Sequence, residues 1–215
     1  MDSLALEQQS KGFDRLARGY DLLVALVYGS SLRKAQSHYL DRVKEDSKVL
    51  IVGGGTGWFL EALLRTGKIA EVTYVELSGK MLSLSRERIE KRLPQLLDRV
   101  EWIQGTVHDL PVGRSFDLVC TLCYLDLFEG EQLEREALSV RNRLSDKGNW
   151  YYSDFCFAKR WPMSWISRGL IWIMYRFFRM LCRIPAGKLE NLSGAVAATG
   201  MESQGRKAWY GGMIE

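Results

Sequence analysis

The chain has 215 residues, of which 47% are hydrophobic and 26% are charged, and its formal net charge is +4. This length suits one globular domain, and the composition excludes a disordered chain or a long linker. The net charge is too small to indicate a nucleic-acid-binding protein, so we expect no nucleic-acid partner. Residues 1–8 have neither a basic segment nor a long apolar core, so we expect no secretory signal and a cytoplasmic location.

The cysteine and histidine content limits metal and redox chemistry. Four cysteines lie inside apolar runs: Cys120, Cys123, Cys156 and Cys182. This placement favours reduced, packed thiols over disulfides, and it favours packing over redox chemistry for the C-x-x-C pair at 120–123. With only two histidines, His38 and His108, we expect no metal site.

Helices and strands alternate along most of the chain. Residues 11–39 have apolar side chains at three- and four-residue steps, which predicts helical cover. The β-branched run at 48–52 predicts a central parallel strand, and a helix is expected at 58–65. Further strands are expected at 71–75, 100–104, 116–121 and 149–154, and further helices at 80–92 and 131–144. This order predicts an α/β fold with a doubly wound, mostly parallel sheet.

The alternation ends after residue 154. Segment 155–192 predicts an amphipathic helical insertion after strand five, and 201–208 and 211–215 are candidate strands around a turn, which brings the predicted sheet to seven strands. We therefore expect one domain over 1–215. Its parts are an N-terminal helical cover (1–46), a cofactor-binding core (47–154), a helical lid or insertion (155–192), and a C-terminal helix turn with a strand pair (193–215).

A glycine-rich loop, Gly53-Gly54-Gly55-Thr56-Gly57, lies between the first strand and the helix after it. Glycines at such a turn let the backbone approach a ligand closely. The dinucleotide fingerprint G-x-G-x-x-G would need glycine where Trp58 stands, and no Lys-Ser/Thr follows to make a P-loop. The loop therefore favours a nucleoside without a pyrophosphate.

Glu76 stands at the end of the second strand, nineteen residues after Gly57. The fold would bring it to the same edge of the sheet as the glycine loop, where a carboxylate can accept hydrogen bonds from both ribose hydroxyls. The alternative is a solvated loop glutamate. The ribose role is favoured because the glycine loop supplies the other half of such a site.

Four motifs in order resemble those of class I S-adenosylmethionine methyltransferases: VLIVGGGTG at 49–57, VELS at 75–78, GTVHDLP at 105–111 and FDLV at 116–119. Upstream, FDRLARGYD at 13–21 is similar to the opening segment of ubiquinone/menaquinone-biosynthesis C-methyltransferases and their relatives. The resemblance covers about residues 13–154. It implies a Rossmann-like methyltransferase fold and S-adenosyl-L-methionine as the cofactor.

The resemblance also implies roles for individual residues. Glycines 53, 55 and 57 would face the methionine part, Glu76 the ribose, residues 106–108 the adenine, and Tyr20 would lean over the cofactor. The expected cofactor site is Tyr20, Gly53, Gly54, Gly55, Thr56, Gly57, Glu76, Leu77, Thr106, Val107, His108 and Thr121. The family often has an acid at the positions of Ile51 and Thr106, so those contacts would fall to backbone carbonyls or water here.

Residues 165–184 form an amphipathic pattern with an arginine edge made by Arg168, Arg176, Arg179 and Arg183. Three interpretations stay open. The apolar face covers the sheet and the arginines are solvated; or the segment is a lid over a lipophilic substrate; or it docks on anionic lipid as a peripheral membrane contact. Thirteen apolar-rich residues interrupted by two arginines are too short to span a bilayer.

Methyl transfer from a sulfonium is a direct displacement, so alignment of a small acceptor is expected to be the main catalytic factor. If a base is used, Asp126 and His108 are the candidates, with Tyr124 as an orienting hydroxyl. Asp126 has a helix N-cap as its alternative role, and His108 an adenine contact.

The sequence thus predicts methyl transfer to a small acceptor, with a lipophilic one among the options. The alternative is a non-catalytic, membrane-associated binding or regulatory protein that keeps the cofactor fold. An NAD-linked oxidoreductase is disfavoured by Trp58 in place of the third glycine. The sequence contains no Asn/Asp-Pro-Pro-Tyr/Phe segment of the kind that would indicate an enzyme modifying nucleic-acid bases. The acceptor atom and the oligomeric state are left open.

Overall fold

The computed structural model describes residues 3–215, and its centre is a parallel sheet of five strands. Met1 and Asp2 lie outside the described residues. They are the first residues of the predicted helical cover and of the 1–8 segment, in which no secretory signal is expected. The strands are β1 (Ser47–Val52), β2 (Ile69–Glu76), β3 (Val100–Gln104), β4 (Phe116–Leu122) and β5 (Leu144–Ser153). Their order across the sheet is β3-β2-β1-β4-β5, so the direction of winding reverses between β1 and β4.

Alternate side chains of the central strands are buried in two separate hydrophobic cores, one on each face of the sheet. Successive residues in the middle of such a strand are therefore apolar, which explains the continuous apolar runs in the sequence. Leu50 and Val52 of β1 belong to one cluster, and Val49 and Ile51 belong to the other. Because successive side chains of a strand point to opposite faces, both faces of β1 are buried against helices. The prediction of a doubly wound sheet is confirmed.

Seven α-helices of the described chain surround this sheet. They are α1 (Ser3–Tyr28), α2 (Ser31–Ser37), α3 (Trp58–Leu64), α4 (Gly79–Arg92), α5 (Gly130–Arg141), α6 (Met163–Cys182) and α7 (Leu192–Ala198). Helices α3 and α4 pack on one face, and α5, α6 and α7 contribute to the core of the other. The predicted helix at 131–144 ends earlier, because Leu144 already pairs with Phe116 as the first residue of β5.

The prediction of seven strands is wrong, because the described chain forms five. The candidate strands at 201–208 and 211–215 make only isolated antiparallel bridges, from Ile214 to Trp209 and to Phe155. Residues 202–207 are exposed and have no alternating apolar side chains, so they offer no face to bury against a neighbouring strand. The C-terminal segment therefore adds no strand to the sheet, but its end packs in the core, where Met213 and Ile214 are fully buried.

Helix α1 lies against α6 above the carboxyl edge of the sheet. The ring centroids of Phe13 and Phe178 are 6.3 Å apart, and the Tyr28 hydroxyl hydrogen-bonds to Met174 Sδ at 3.2 Å. Both helices also line the cavity described below. The segments before β1 and after β5 are thus brought together over the same edge. Within residues 3–215, no helix combines the length and the apolar character needed to cross a membrane.

Candidate active site

A cavity of about 520 Å³ opens at the carboxyl edge of the sheet, beside the ends of β1 and β4. This is the point where the strand order reverses, and open α/β sheets bind ligands in that crevice. The wall is formed by the loops after β1, β2, β3 and β4 and by α1 and α6. The fold therefore gathers the predicted motifs around one space.

In the glycine loop after β1, Gly55 is open to a ligand, whereas the other glycines pack against protein. Gly55 has φ +64°, and a Cβ built there would meet nothing within 4 Å, so the backbone at this point faces free space. Gly57 has φ +81°, and its Cβ would lie 2.2 Å from Ser85 Oγ. Gly55 lines the cavity, whereas Gly57 lets the loop pack on α4.

Glu76, at the end of β2, holds the loop in place and faces the cavity. One carboxylate oxygen accepts from the Gly55 backbone N–H at 2.8 Å, and the other accepts from the Ser78 N–H at 2.8 Å. Burial raises the pKa of Glu76, while these backbone donors oppose the rise. Each oxygen keeps a lone pair, so the carboxylate can accept two more hydrogen bonds from a ligand.

Helix α1 is fastened to this edge by two aspartates whose role the sequence did not reveal. Asp14 Oδ1 accepts from the Ser78 hydroxyl at 2.5 Å and from the Lys80 N–H at 3.0 Å. Asp21 accepts from the Thr56 hydroxyl at 2.6 Å and pairs with Arg88 at 2.6 Å. Both lie in the 13–21 segment that carried the family resemblance, which was the available signal.

His108 and Tyr124 are linked through a residue that the sequence did not single out. His108 Nε2 lies 2.9 Å from one carboxylate oxygen of Glu136, and the Tyr124 hydroxyl donates to the other at 3.0 Å. Glu136 and Tyr124 are buried, whereas the His108 side chain is half exposed. Burial and the Glu136 charge raise the pKa of Tyr124, so its hydroxyl stays protonated. Glu136 orients both groups.

Asp126 follows β4 and lies beside Asp154 at the end of β5. Asp154 accepts from the backbone N–H groups of Leu125 and Phe155, both at 3.1 Å, and these bonds fix its carboxyl group. Burial raises the pKa of Asp126 to about 6 and that of Asp154 well above its usual range. The N-cap role considered for Asp126 is wrong, because α5 begins four residues later at Gly130.

Of the predicted site residues, nine line the cavity and five do not. Those that line it are Tyr20, Gly53, Gly55, Glu76, Leu77, Thr106, His108, Tyr124 and Asp126. Those that do not are Gly54, Thr56, Gly57, Val107 and Thr121. Val107 and Thr121 are fully buried, and Thr121 accepts from the Trp150 indole N–H at 2.9 Å, so tertiary packing takes their side chains away from the cavity.

Residues 49–148 match the family model of a methyltransferase domain. The matched stretch begins in β1 and includes the glycine loop, Glu76, His108 and Asp126. It ends within β5, and Phe155, which follows that strand, also lines the cavity. Residues 49–148 thus form a methyltransferase domain, and the chain is similar to class I S-adenosylmethionine-dependent methyltransferases.

Individual methyltransferases are similar to this chain. Demethylmenaquinone methyltransferase of Thermotoga maritima is 32% identical over 110 residues, 50% of this chain and 44% of the relative. Malonyl-[acyl-carrier protein] O-methyltransferase of Priestia megaterium is 24% identical over 151 residues, 67% of this chain and 50% of the relative. The chain thus spans about half the length of these curated relatives. The solved DhpI-SAM-HEP complex has the same fold, with 23% identity and a TM-score of 0.60 over 74% of this chain and 70% of that one.

Ile51 and Thr106 stand where related methyltransferases often have an acid, and the structure compensates at only one of these positions. Ile51 is 1% exposed and packs in the core, so no side chain replaces the acid there. At Thr106, the acid is supplied by Asp109, three residues further along the chain. Asp109 Oδ2 accepts from the Thr106 backbone N–H at 2.7 Å and from its hydroxyl at 2.9 Å. Asp109 lines the cavity, and its spacing from Thr106 in a capping box was the sequence signal for it.

The remaining wall of the cavity is apolar and comes from helices outside the matched stretch. Helix α1 supplies Leu23, Val24 and Val27, and α6 supplies Leu170, Ile173, Met174, Phe177 and Phe178. The cavity therefore has a polar end at Glu76 and an apolar end between α1 and α6. Among the residues that the structure describes, no three His, Cys, Asp or Glu side chains are grouped so that they could hold a metal ion.

Proposed function

We propose that this methyltransferase transfers the methyl group of S-adenosylmethionine to a small, lipophilic acceptor bound between α1 and α6. The observation that carries the proposal is the continuity of the cavity, which joins the Gly55–Glu76 corner to the apolar wall of α1 and α6. A volume of about 520 Å³ is in the range of pockets for small ligands. The acceptor is thus held on the side of the cofactor pocket where water is excluded.

The residues at the polar end fit the cofactor by shape and by donor set. Gly55 leaves the backbone open at a positive φ, and the free lone pairs of Glu76 suit the two ribose hydroxyls. Thr106, His108 and Asp109 line the adjoining wall, where the adenine would lie, with Tyr20 from α1 over it. Thr56, Gly54 and Gly57 act by shaping the loop, and Val107 and Thr121 by packing beneath it.

When bound, the cofactor supplies an activated methyl group on sulfur, so the protein has mainly to align the acceptor and exclude water. Tyr124 fits the orienting role proposed for it, because its hydroxyl is fixed on Glu136. His108 sits on the same glutamate but is half exposed, which favours contact with the adenine end over proton transfer. Asp126 is the candidate base, because it is buried at the apolar end of the cavity.

We also propose that segment 155–192 acts as a lid whose outer face meets an anionic membrane surface. On α6, Trp165, Trp172 and Met180 are 76%, 65% and 80% exposed, so the apolar residues are not all used to cover the sheet. Arg168, Arg176 and Arg179 are exposed on the same helix, and residues 155–188 contain no acid. Exposed tryptophans among unbalanced arginines suit the interface of an anionic bilayer, which would store a lipophilic acceptor.

The proposal is tested by transfer of labelled methyl from S-adenosylmethionine into a cell extract that is then partitioned into organic-soluble, small aqueous and macromolecular fractions. We expect label in the organic fraction, and its loss when Glu76→Gln replaces the wild type. Label only in the macromolecular fraction would contradict a small lipophilic acceptor. No label in any fraction, with S-adenosylhomocysteine binding intact, would contradict the enzyme and favour the non-catalytic alternative.

A further inference from the structure

The turn after β3, residues 105–111, forms the cavity wall beside Glu76. Four of its residues line the cavity: Gly105, Thr106, His108 and Asp109. The Gly105 backbone N–H donates to the Glu76 backbone carbonyl at 3.0 Å, so the turn adjoins the ribose corner. Its only helical part is a 3₁₀ helix of three residues, 107–109. Such a short helix has few hydrogen bonds of its own, so its position depends on contacts with the rest of the protein.

Asp109 folds back over this turn and places a carboxylate on it. Its Oδ2 accepts from the Thr106 backbone N–H at 2.7 Å and from the Thr106 hydroxyl at 2.9 Å. Gly105 leaves room for this arrangement, because its φ is +156° and a Cβ built there would lie 2.6 Å from the same oxygen. Asp109 is exposed and lines the cavity. The turn thus holds a group that only accepts hydrogen bonds at the cavity wall.

Arg143, which lies between α5 and β5, binds the backbone of this turn. Its Nη1 donates to the Pro111 carbonyl at 2.6 Å, and its Nη2 donates to the carbonyls of Val107 and Leu110 at 3.1 and 3.0 Å. Val107 and Leu110 are buried, so little water is available to replace these bonds. The three carbonyls lie before and after Asp109 in the chain. One guanidinium group therefore fixes the backbone on both sides of Asp109.

The main chain of Arg143 is itself tied to the sheet. Its N–H donates to the Val140 carbonyl at 3.0 Å, and its carbonyl accepts from the N–H of Phe116, the first residue of β4, at 2.9 Å. A guanidinium group is planar and offers five N–H donors in a rigid fork, which lets one side chain reach three carbonyls. A lysine ammonium is a point charge on a flexible stem and lacks this fork. The contact therefore depends on arginine.

We propose that Arg143 is a positioning residue that sets the selectivity of the cofactor pocket for adenine through the Asp109 carboxylate. This role rests on the proposed function, which places the adenine against this wall. The amino group of adenine is a hydrogen-bond donor and suits a carboxylate. The carbonyl oxygen of hypoxanthine, at the same position of the ring, is an acceptor and is repelled by it. Asp109 distinguishes the two bases only while Arg143 holds the turn in place.

The test compares S-adenosylhomocysteine with S-inosylhomocysteine, in which a carbonyl oxygen replaces the amino group, by calorimetry without an acceptor. We expect the wild type to bind the adenosyl compound at least about tenfold more tightly, the order of one hydrogen bond to a charged group. In Arg143→Lys this preference should fall below about threefold, because the turn is no longer fixed. Arg141→Lys, the same change at another half-buried position, is the matched control and should keep the preference.

The ratio of the two affinities separates positioning from structural support. A general loosening of the protein in Arg143→Lys would weaken both compounds equally, and an unchanged ratio would overturn the proposal. Asp109→Asn should lower the preference by itself, since its amide can donate to the hypoxanthine carbonyl. Because Arg143 acts through Asp109, Arg143→Lys should lower the preference little further when Asp109→Asn is already present. Additive losses would overturn the proposal. If Arg143→Lys does not fold, Arg143→Gln takes its place in the same comparison.

Failure of this role is distinguishable from failure of the proposed function. Neither compound has a methyl group to transfer, so the comparison does not depend on which acceptor is methylated. If the wild type binds the two compounds equally, the role of Arg143 is overturned while the proposed function stands. If the wild type shows the preference but transfers no label in the extract, the proposed function is contradicted, and the ratio in Arg143→Lys still decides the role of Arg143.

Discussion

Thr56 Oγ1 donates a hydrogen bond of 2.6 Å to Asp21 Oδ1, so the first helix is tied directly to the glycine loop. The other oxygen of Asp21 pairs with Arg88 of α4 at 2.6 Å. One side chain thus joins α1, the loop after β1 and the helix after β2. Since α1 also lines the apolar end of the cavity, the order of the glycine loop and the position of this wall are coupled.

The Asp21→Asn variant tests this coupling. The amide keeps the size of the side chain but loses its charge, so the pairing with Arg88 and the hydrogen bond from Thr56 are both weakened. We expect affinity for S-adenosylhomocysteine to fall about fivefold to tenfold, which corresponds to about 1 kcal/mol, the typical net contribution of one hydrogen bond. Calorimetric titration measures the effect, with the exposed Asp41→Asn as control. Unchanged affinity would show that α1 does not help to order the loop.

The Glu76→Gln variant tests the ribose corner. Two backbone N–H groups, from Gly55 and Ser78, each need an acceptor, and a glutamine offers only one side-chain oxygen. One buried N–H then faces an amide NH₂ group. We expect S-adenosylhomocysteine to bind roughly tenfold to a hundredfold more weakly, with lower stability. Glu71→Gln on the exposed part of β2 is the matched control, and equal affinities for the two variants would contradict the assignment.

The Asp126–Asp154 pair also makes stability depend on pH. The pKa of Asp126 is about 6 in the folded protein, above its ordinary value of 3.8, so the folded state holds a proton that the unfolded state has released between these values. The free energy of unfolding should therefore fall as the pH rises through this range, by on the order of 3 kcal/mol from this group.

Urea unfolding of the wild type and of Asp126→Asn at a series of pH values measures this effect. The amide cannot ionise, so the decrease assigned to Asp126 should be absent and the variant should exceed the wild type in stability at neutral pH. Asp146→Asn, at an exposed position on β5, is the control and should follow the wild type. A variant that loses stability in parallel with the wild type as the pH rises would contradict the buried, ionising carboxyl group.

The outer face of α6 predicts binding to anionic vesicles. Each arginine near such a surface contributes about 1 kcal/mol, so a triple variant with Arg168→Gln, Arg176→Gln and Arg179→Gln should sediment roughly a hundredfold more weakly with phosphatidylglycerol-containing vesicles. Binding of the wild type should weaken with added salt, because surface charges are screened.

A matched triple variant on α4, with Lys80→Gln, Arg86→Gln and Lys91→Gln, removes the same charge from exposed positions elsewhere. It should bind vesicles like the wild type. Vesicles of phosphatidylcholine alone carry no net charge, so binding to them measures the contribution of Trp165 and Trp172 without electrostatic attraction. Equal loss in both triple variants would indicate a general charge effect and contradict a docking face on α6.

The strands that carry the motifs could be predicted because their signals are local. The run at 48–52 is apolar and ends in glycines, which indicates a strand buried on both faces, and β3 has the bounds predicted for it. The prediction of two C-terminal strands was wrong because residues 201–208 have no residue pattern that distinguishes a strand from an extended loop. What decides between them is whether a neighbouring strand offers free backbone groups, which the sequence does not show.

Sequence by itself determined the order of strands and helices over residues 48–154, the glycine loop and the acid at Glu76, because each depends on residue type and spacing along a short stretch. Only the tertiary structure decided which side chains meet. Glu136 contacts His108 and Tyr124, which are 28 and 12 residues away in sequence. Asp154 lies beside Asp126 across 28 residues, and Asp21 binds Thr56 across 35. Such contacts depend on the packing of whole elements, and the burial that shifts the pKa of Asp126 arises from the same packing.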